Sequence, residues 1–206
     1  MKLKSLLTNQ KLTKEFYNQN VLEVARNLPG KIFVVKNRNQ ILAGVIVEVE
    51  AYSMLGDKAS HSYNGKTVRN TSMFSGGGVL YVYSSYGIHF CANIVTGEIN
   101  SGDAVLLRAI EPIYGVNQMV INRFGKEIIS NNLFKNLTNG PGKICSAFGI
   151  DKKNDGIDLS KNHIFIVENS ELRDFELVES TRIGITKSTD LPWRFYIKNS
   201  QNILNK

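Results

Sequence analysis

From residue 31 to residue 109 the chain reads as one strand after another, with no helical period between them. Residues 31–35, 41–49, 79–83, 88–95 and 103–109 are rich in β-branched and aromatic side chains, and polar or glycine-bearing stretches part them. Strands that follow one another without a crossover helix pair antiparallel. Later strands are expected at 164–167, 181–184 and 194–198. Helices are expected at 13–27, with Thr13 as N-cap and Pro29-Gly30 as the stop, at 113–123 before Gly125, and at 142–148 after Pro141. Strands and helices do not alternate regularly, so the expected class is α+β with a largely antiparallel sheet.

The 206 residues, 42% of them hydrophobic, suffice for one ordinary core, which means one domain and at most two. That apolar content excludes a disordered chain. Two cysteines, Cys91 and Cys145, exclude a disulfide scaffold and a cysteine-rich zinc module. No run approaches the length of a membrane-spanning helix, and the apolar start at Leu6-Leu7 turns polar at Thr8, too soon for a signal peptide. A reducing, cytoplasmic location is the expectation. The 25 Lys and Arg against 18 Asp and Glu give a net charge of +7, which suits a polyanionic partner such as nucleic acid.

Residues 53–78 lack a period and carry His61, Lys66, Arg69 and Asn70; a long irregular segment inside a compact domain is usually functional. Glu50 closes the apolar strand that enters this segment. In the expected strand Val45, Val47 and Val49 share one face and Ile46, Glu48 and Glu50 the other. A carboxylate at such an edge suits a general base. Glu48 is equally acidic, and pattern does not choose between the two. Tyr86, beside Gly87 in the turn of a hairpin, is either a wedge that enters DNA or a ring folded back on its own sheet. Tyr81 and Tyr83 alternate on one strand face, as base-stacking surfaces or as packing. Asn93 and Arg108 sit among apolar strand residues and each needs a polar partner if buried. His61 has no second His or Cys at metal-ligand spacing, so no zinc site is expected.

Several longer motifs, in order, carry a resemblance. They are Val47-Glu48-Val49-Glu50-Ala51-Tyr52, Ala59-Ser60-His61-Ser62, Arg69-Asn70-Thr71-Ser72-Met73-Phe74, and the hairpin from Gly78 to Gly87. Cys91-Ala92-Asn93, Leu106-Leu107-Arg108-Ala109-Ile110-Glu111-Pro112, Gly140-Pro141-Gly142-Lys143-Ile144-Cys145 and Pro192-Trp193-Arg194-Phe195-Tyr196-Ile197 follow. Together they resemble the alkyladenine (3-methyladenine, methylpurine) DNA glycosylase family from about Leu28 to Ile197. The resemblance implies a single mixed domain over 1–206, with 1–12 and 199–206 as frayed ends, a curved sheet, flanking helices and a protruding β-hairpin that enters the minor groove. It implies base excision repair: a damaged purine is flipped out and its N-glycosidic bond hydrolysed by a Glu-activated water, leaving an abasic site. Glu50 matches the general base and Arg108 the arginine that positions water or phosphate. Tyr52, Ala59, His61 and Tyr83 match the base pocket, Asn93 the residue that clashes with the amine of guanine, and Tyr86 the intercalating side chain. Lys66, Thr67, Arg69 and Asn70 are the expected contacts to the DNA backbone. No metal and no organic cofactor is implied. The implied partner is double-stranded DNA with damaged purines, met by a monomer associated with the bacterial nucleoid.

The physical chemistry agrees with that resemblance. A purine alkylated at N3 or N7 is cationic, so it is attracted by electron-rich rings and leaves readily. One carboxylate base then suffices, and no Schiff-base nucleophile is called for, so a monofunctional enzyme is expected. Val68 stands where many members have proline, Ser84-Ser85 replaces a more apolar pair, and Ser75-Gly76-Gly77-Gly78 is unusually glycine-rich. None touches the expected base. Other readings are an inactive DNA-binding module of the same fold, a zinc deaminase and a glycosylase-lyase. The joint presence of the site residues argues against the first. The second lacks a His-x-Glu with paired cysteines. The third is separated by strand cleavage without alkali. The sequence does not rank 3-methyladenine, 7-methylguanine, hypoxanthine and ethenoadenine.

Overall fold

A computed structural model describes residues 9–37, 40–127, 130–172 and 174–200. The expectations for the turn at Arg38-Asn39 and for most of both termini fall outside these residues. Along the described chain run α1 (Lys14–Tyr17), α2 (Val21–Asn27), β1 (Ile32–Asn37), β2 (Gln40–Tyr52), β3 (Leu80–Ser85), β4 (His89–Thr96) and β5 (Asp103–Tyr114). Then come α3 (Val116–Phe124), α4 (Asn131–Lys135), α5 (Pro141–Phe148), β6 (Ile164–Val167), β7 (Leu177–Ser180) and β8 (Arg194–Ile197). The strands form one curled sheet in the order β3-β4-β5-β2-β1-β6, with β8 against β2 and β7 against β8. Every one of these pairings is antiparallel, as the strand-rich sequence predicts. No described helix is long and apolar enough to cross a membrane.

One long strand organises the sheet. Along one edge β2 pairs with β5, and along the other it carries β1 and β8 end to end. Ile46 pairs with Ile110, but Glu48 rather than Val47 pairs with Ala109, and Val49 then pairs with Leu107. Val47 on β2 and Arg108 on β5 are each one residue too many for the ladder. Side chains alternate with period two, so an extra residue turns the following ones over. Leu42 and Ile46 face the main core before the bulge, and Val49 and Ala51 face it after. This corrects the expected faces: Ile46 does not share a side with Glu48 and Glu50, and Val45 packs with Ile32 and Val34 in a separate cluster. The bulge is what lets the apolar residues stay in the core while both glutamates leave it.

The main core lies between the sheet and the helices. α2 contributes Val21, Val24 and Ala25, spaced i, i+3 and i+4, while α3 contributes Met119 and Val120, and α5 Ile144, Cys145, Ala147 and Phe148. On the other face of β3, β4 and β5 a smaller cluster of Met73, Phe74, Val79, Tyr81, Val95 and Ala104 sits under the irregular segment 53–78. That second face holds the site.

Three expectations about elements are corrected. The helix expected over 13–27 is two, because the Tyr17 carbonyl accepts from Gly97 N–H at 3.0 Å and Asn20 starts a new helix by capping Leu22 N–H at 2.9 Å. The helix expected from 113 begins at Val116, since Tyr114 still pairs with Ala43 in the sheet. Gly115 makes that exit, with φ of +73° and space so tight that a Cβ would lie 2.3 Å from the Ile41 carbonyl oxygen. The strand expected at 181–184 is absent, and 177–180 pairs instead. Residues 181–184 are diverted because their polar groups serve the site described next.

Candidate active site

Cross-strand pairing sets five residues in a row. Tyr81 of β3 faces Asn93 of β4, which faces Leu106 of β5, which faces Glu50 of β2, which faces Arg194 of β8. Opposite residues on paired strands share a face. Three of the row, Tyr81, Asn93 and Leu106, line a cleft of about 520 Å³. Of the residues expected in the site, Tyr52, Ala59, His61, Tyr83, Tyr86, Asn93 and Arg108 line the cleft.

Glu50 stands directly behind the lining. It is fully buried, and both carboxylate oxygens are held by groups that do line the cleft. Oε2 accepts from the Tyr52 hydroxyl at 2.8 Å and from Arg108 Nη1 at 3.3 Å, and Oε1 accepts from the Ile183 N–H at 2.7 Å. Burial pushes its carboxyl above the ordinary range. Arg108, the Ile183 N–H and the Tyr52 hydroxyl pull it back, and the Glu48 charge adds to the rise. The same burial, together with the Glu50 charge, pushes the Tyr52 phenol well up, so Tyr52 is a donor and not a base.

The two glutamates that pattern did not separate differ in partners. Glu48 is equally buried, but its Oε1 accepts from Arg194 Nε at 2.6 Å and lies 3.4 Å from Arg108 Nε. Arg108 therefore bridges both carboxylates, and its Nη1 also donates to the Ile183 carbonyl at 3.3 Å. Two buried carboxylates survive here because two guanidiniums accompany them; either left alone would be strongly destabilising.

Aromatic rings form the walls. His61 meets Tyr83 edge to face at 4.4 Å between centroids, and its Nδ1 lies 3.1 Å from the Tyr81 hydroxyl. Desolvation and the Arg69 cation hold its imidazole below the ordinary range, so it is neutral at neutral pH. Burial pushes the Tyr81 phenol up to about 12, and the Tyr83 phenol further, where it shares a hydrogen bond with Cys91. On the floor Asn93 is buried and its Nδ2 donates to the Tyr81 carbonyl at 3.2 Å.

The hairpin stands at the mouth. Tyr86 is 95% exposed, so of the two sequence readings the ring points outward. It holds φ of +52° and Gly87 holds +70°, the paired left-handed conformation of tight hairpin turns. A tyrosine in that region is disfavoured, which marks the tip as a place where conformation is held at a cost. Arg69 donates to the Ser84 carbonyl at 3.3 Å and lies over the Tyr83 ring, so it braces the hairpin's base. Lys66 and Thr67 are exposed beside it. Asn70 is buried instead, its Nδ2 donating to the His61 and Gly65 carbonyls at 2.9 and 3.1 Å and its Oδ1 accepting from Thr67 N–H at 2.6 Å. Its side chain shapes the loop that presents His61.

Several groups were missed in the sequence. Asp57 and Arg182, 125 residues apart, form a fully buried ion pair. Arg194 becomes a partner of Glu48 only through the β2–β8 pairing. Lys58 and Lys187 line the cleft from two separate segments. No local period signals any of these; the one visible hint was a lone arginine in the apolar run Arg182-Ile183-Gly184-Ile185. Among the described residues no group of three His, Cys, Asp or Glu is placed to hold a metal ion.

Comparison with known proteins bears on this geometry. The family model described as methylpurine-DNA glycosylase matches residues 15–201. A Clostridium novyi protein is 47% identical over 203 residues, covering 96% of this chain and 100% of that one. One from Desulfitobacterium hafniense is 42% identical over 200 residues (94% and 98%), and one from Francisella tularensis is 41% identical over 182 (87% and 91%). All three bear the name "Putative 3-methyladenine DNA glycosylase".

Proposed function

The chain belongs to the methylpurine-DNA glycosylase family, and on that premise we propose that it flips alkylated or deaminated purines into the aromatic cleft and hydrolyses their N-glycosidic bonds with water activated by Glu50. As a DNA glycosylase it is a hydrolase of DNA repair, and its substrate is DNA. A base inside a duplex is out of reach of a cleft, so it must leave the stack at a cost of a few kcal/mol or so. Tyr86, exposed at the hairpin tip beside the cleft, fills the gap and reduces that cost.

Inside the cleft the flipped base meets Tyr83, Tyr81, Tyr52 and a neutral His61. Such rings favour a cationic purine, and a protonated His61 would repel it. Asn93, pinned by the Tyr81 carbonyl, takes the space that the exocyclic amine of guanine would need. Glu50 Oε2, Arg108 Nη1 and the Ile183 carbonyl converge, and a water held among them points its oxygen at the anomeric carbon. The water oxygen bonds to that carbon as the N-glycosidic bond breaks. Glu50 takes the water proton, and the bonding pair goes to the departing base: it neutralises the ring charge of an alkylated purine, whereas a deaminated purine, neutral at the start, leaves as the anion and takes a proton from solvent. The products are free base and an abasic sugar in an intact strand. The reading needs no residue from a second copy, and we propose that the enzyme acts as a monomer, on the nucleoid DNA of a bacterial cell.

The observation that carries this reading is a buried carboxylate whose partners are cleft-lining groups, behind electron-rich rings and beside an exposed tyrosine. Its test is single-turnover excision on a hypoxanthine duplex and on a duplex methylated to give 3-methyladenine, each split with and without hot alkali. Cleavage only with alkali is expected. Cleavage without alkali would require an amine nucleophile in place of water, and binding without excision on both duplexes would favour an inactive DNA-binding module of the same fold or a narrower lesion range.

A further inference from the structure

The buried pair Asp57–Arg182 has no part in the chemistry above, yet it is the most completely buried ion pair of the site. Arg182 Nη1 donates to Asp57 Oδ2 at 2.6 Å and Nη2 to Oδ1 at 2.8 Å, a two-pronged grip. The same guanidinium donates to the carbonyls of Ala51 at 2.9 Å and Ser188 at 3.2 Å. It lies over the Tyr52 ring at 4.5 Å and the Trp193 ring at 5.4 Å. Burying both charges is expensive, and an apolar pair of similar volume often serves stability as well or better. Stability alone is therefore a poor account of it.

Its neighbours supply a better one. Arg182 is bonded through the chain to Ile183, whose N–H holds Glu50 Oε1 and whose carbonyl takes Arg108 Nη1. Its cation is stacked on Tyr52, whose hydroxyl holds Glu50 Oε2. The Ala51 carbonyl that it grips lies between Glu50 and Tyr52 in β2. The strap it fastens, residues 183–187, is one wall of the cleft, and Lys58 N–H to Ser188 Oγ at 3.0 Å closes the same seam. We propose that Arg182, clamped by Asp57, is a positioning residue for excision: it sets the Ile183 backbone and the Tyr52 ring against Glu50 and so fixes the orientation of the base. A planar, five-donor guanidinium serves here where an ammonium would not, because Asp57, two carbonyls and a ring face must be met at once.

The inference rests on Glu50 as the base, and its test separates the two. Single-turnover excision is measured against pH for wild type, Arg182→Lys, Asp57→Asn and Tyr52→Phe, with melting and binding to a duplex bearing an abasic analogue measured alongside. Arg182→Lys should slow excision by about 10²-fold, the scale of a small misplacement of reacting groups. It should also move the acid limb of the profile to higher pH, because both bonds it loosens favour the ionised Glu50. The double variant Arg182→Lys/Tyr52→Phe should lose less than the product of the single losses, since both act through one contact. Asp57→Asn, close in shape to the native side chain, should slow excision with binding retained. An unmoved acid limb and multiplicative losses would reduce the pair to a structural fastening and overturn the proposal. Near-normal turnover in Glu50→Gln would instead overturn the base, a result that these variants do not produce.

Discussion

Replacing Glu50 by Gln changes two atoms' chemistry and little shape, and its consequences can be worked from the contacts. The carboxylate accepts from three donors: Tyr52 hydroxyl, Ile183 N–H and Arg108 Nη1. A carboxamide keeps one acceptor oxygen and turns the other side into a donor, so at least one of the three faces a donor. Loss of proton acceptance should cost about 10²–10⁴-fold in single-turnover rate, which is roughly 3–5 kcal/mol at 1.36 kcal/mol per decade. Binding to lesion duplex should be kept or tightened, because a negative charge near a polyanion has been removed. The pH signs follow from the raised carboxyl. Wild-type excision needs the ionised form, so it falls as pH drops through that raised value, and the variant lacks this limb. Stability runs the other way. A folded-state value above the unfolded one makes Glu50's contribution complete below the unfolded value and lost as pH rises through the folded one. The variant's stability should thus fall less than wild type's between those two pH values. Excision gels on a hypoxanthine duplex and urea melts, both run over a pH series that starts below the ordinary glutamate value of about 4.3, read both. Turnover within about threefold of wild type, well under the range for a lost general base, would refute the reasoning.

Tyr86→Ser should leave the cleft intact but weaken flipping, by about 1–3 kcal/mol, the worth of one aromatic–base stack; fluorescence of 2-aminopurine beside the lesion reports it, and an unchanged signal would mean that the exposed ring is not the wedge. Lys58→Met and Lys187→Met should each reduce the slope of log affinity against log salt by about 0.9, one released counterion apiece, if their ammonium groups at the cleft wall meet DNA phosphates; fluorescence anisotropy titrations across a salt series measure it. Gly115→Ala should destabilise the fold by more than about 1 kcal/mol, because it demands a left-handed alanine against the Ile41 carbonyl; a denaturant midpoint equal to wild type would contradict the tightness of the β5–α3 corner.

What the sequence determined by itself was local. Alternating apolar residues from 80 to 96 around Tyr86-Gly87 describe a hairpin whatever surrounds it, because a strand's period and a turn's backbone demands are properties of neighbouring residues. The antiparallel sheet, the stop at Gly125 and the placing of Tyr83, Asn93 and Arg108 on strands follow in the same way. Tertiary structure decided what period cannot reach. One extra residue, Val47, reverses which side of β2 each side chain takes, and no count along a single strand foretells a bulge that depends on its partner. Only with that bulge do Glu48 and Glu50 leave the core side, and only the neighbours brought by β8 and the 182–183 strap tell them apart. Residues 181–184 look like a strand by composition, but the burial of Arg182 against Asp57 and the demand of Glu50 for the Ile183 N–H outweigh a ladder. A buried carboxylate must find donors wherever the fold brings them, and here one is two residues away, one 58 and one 133.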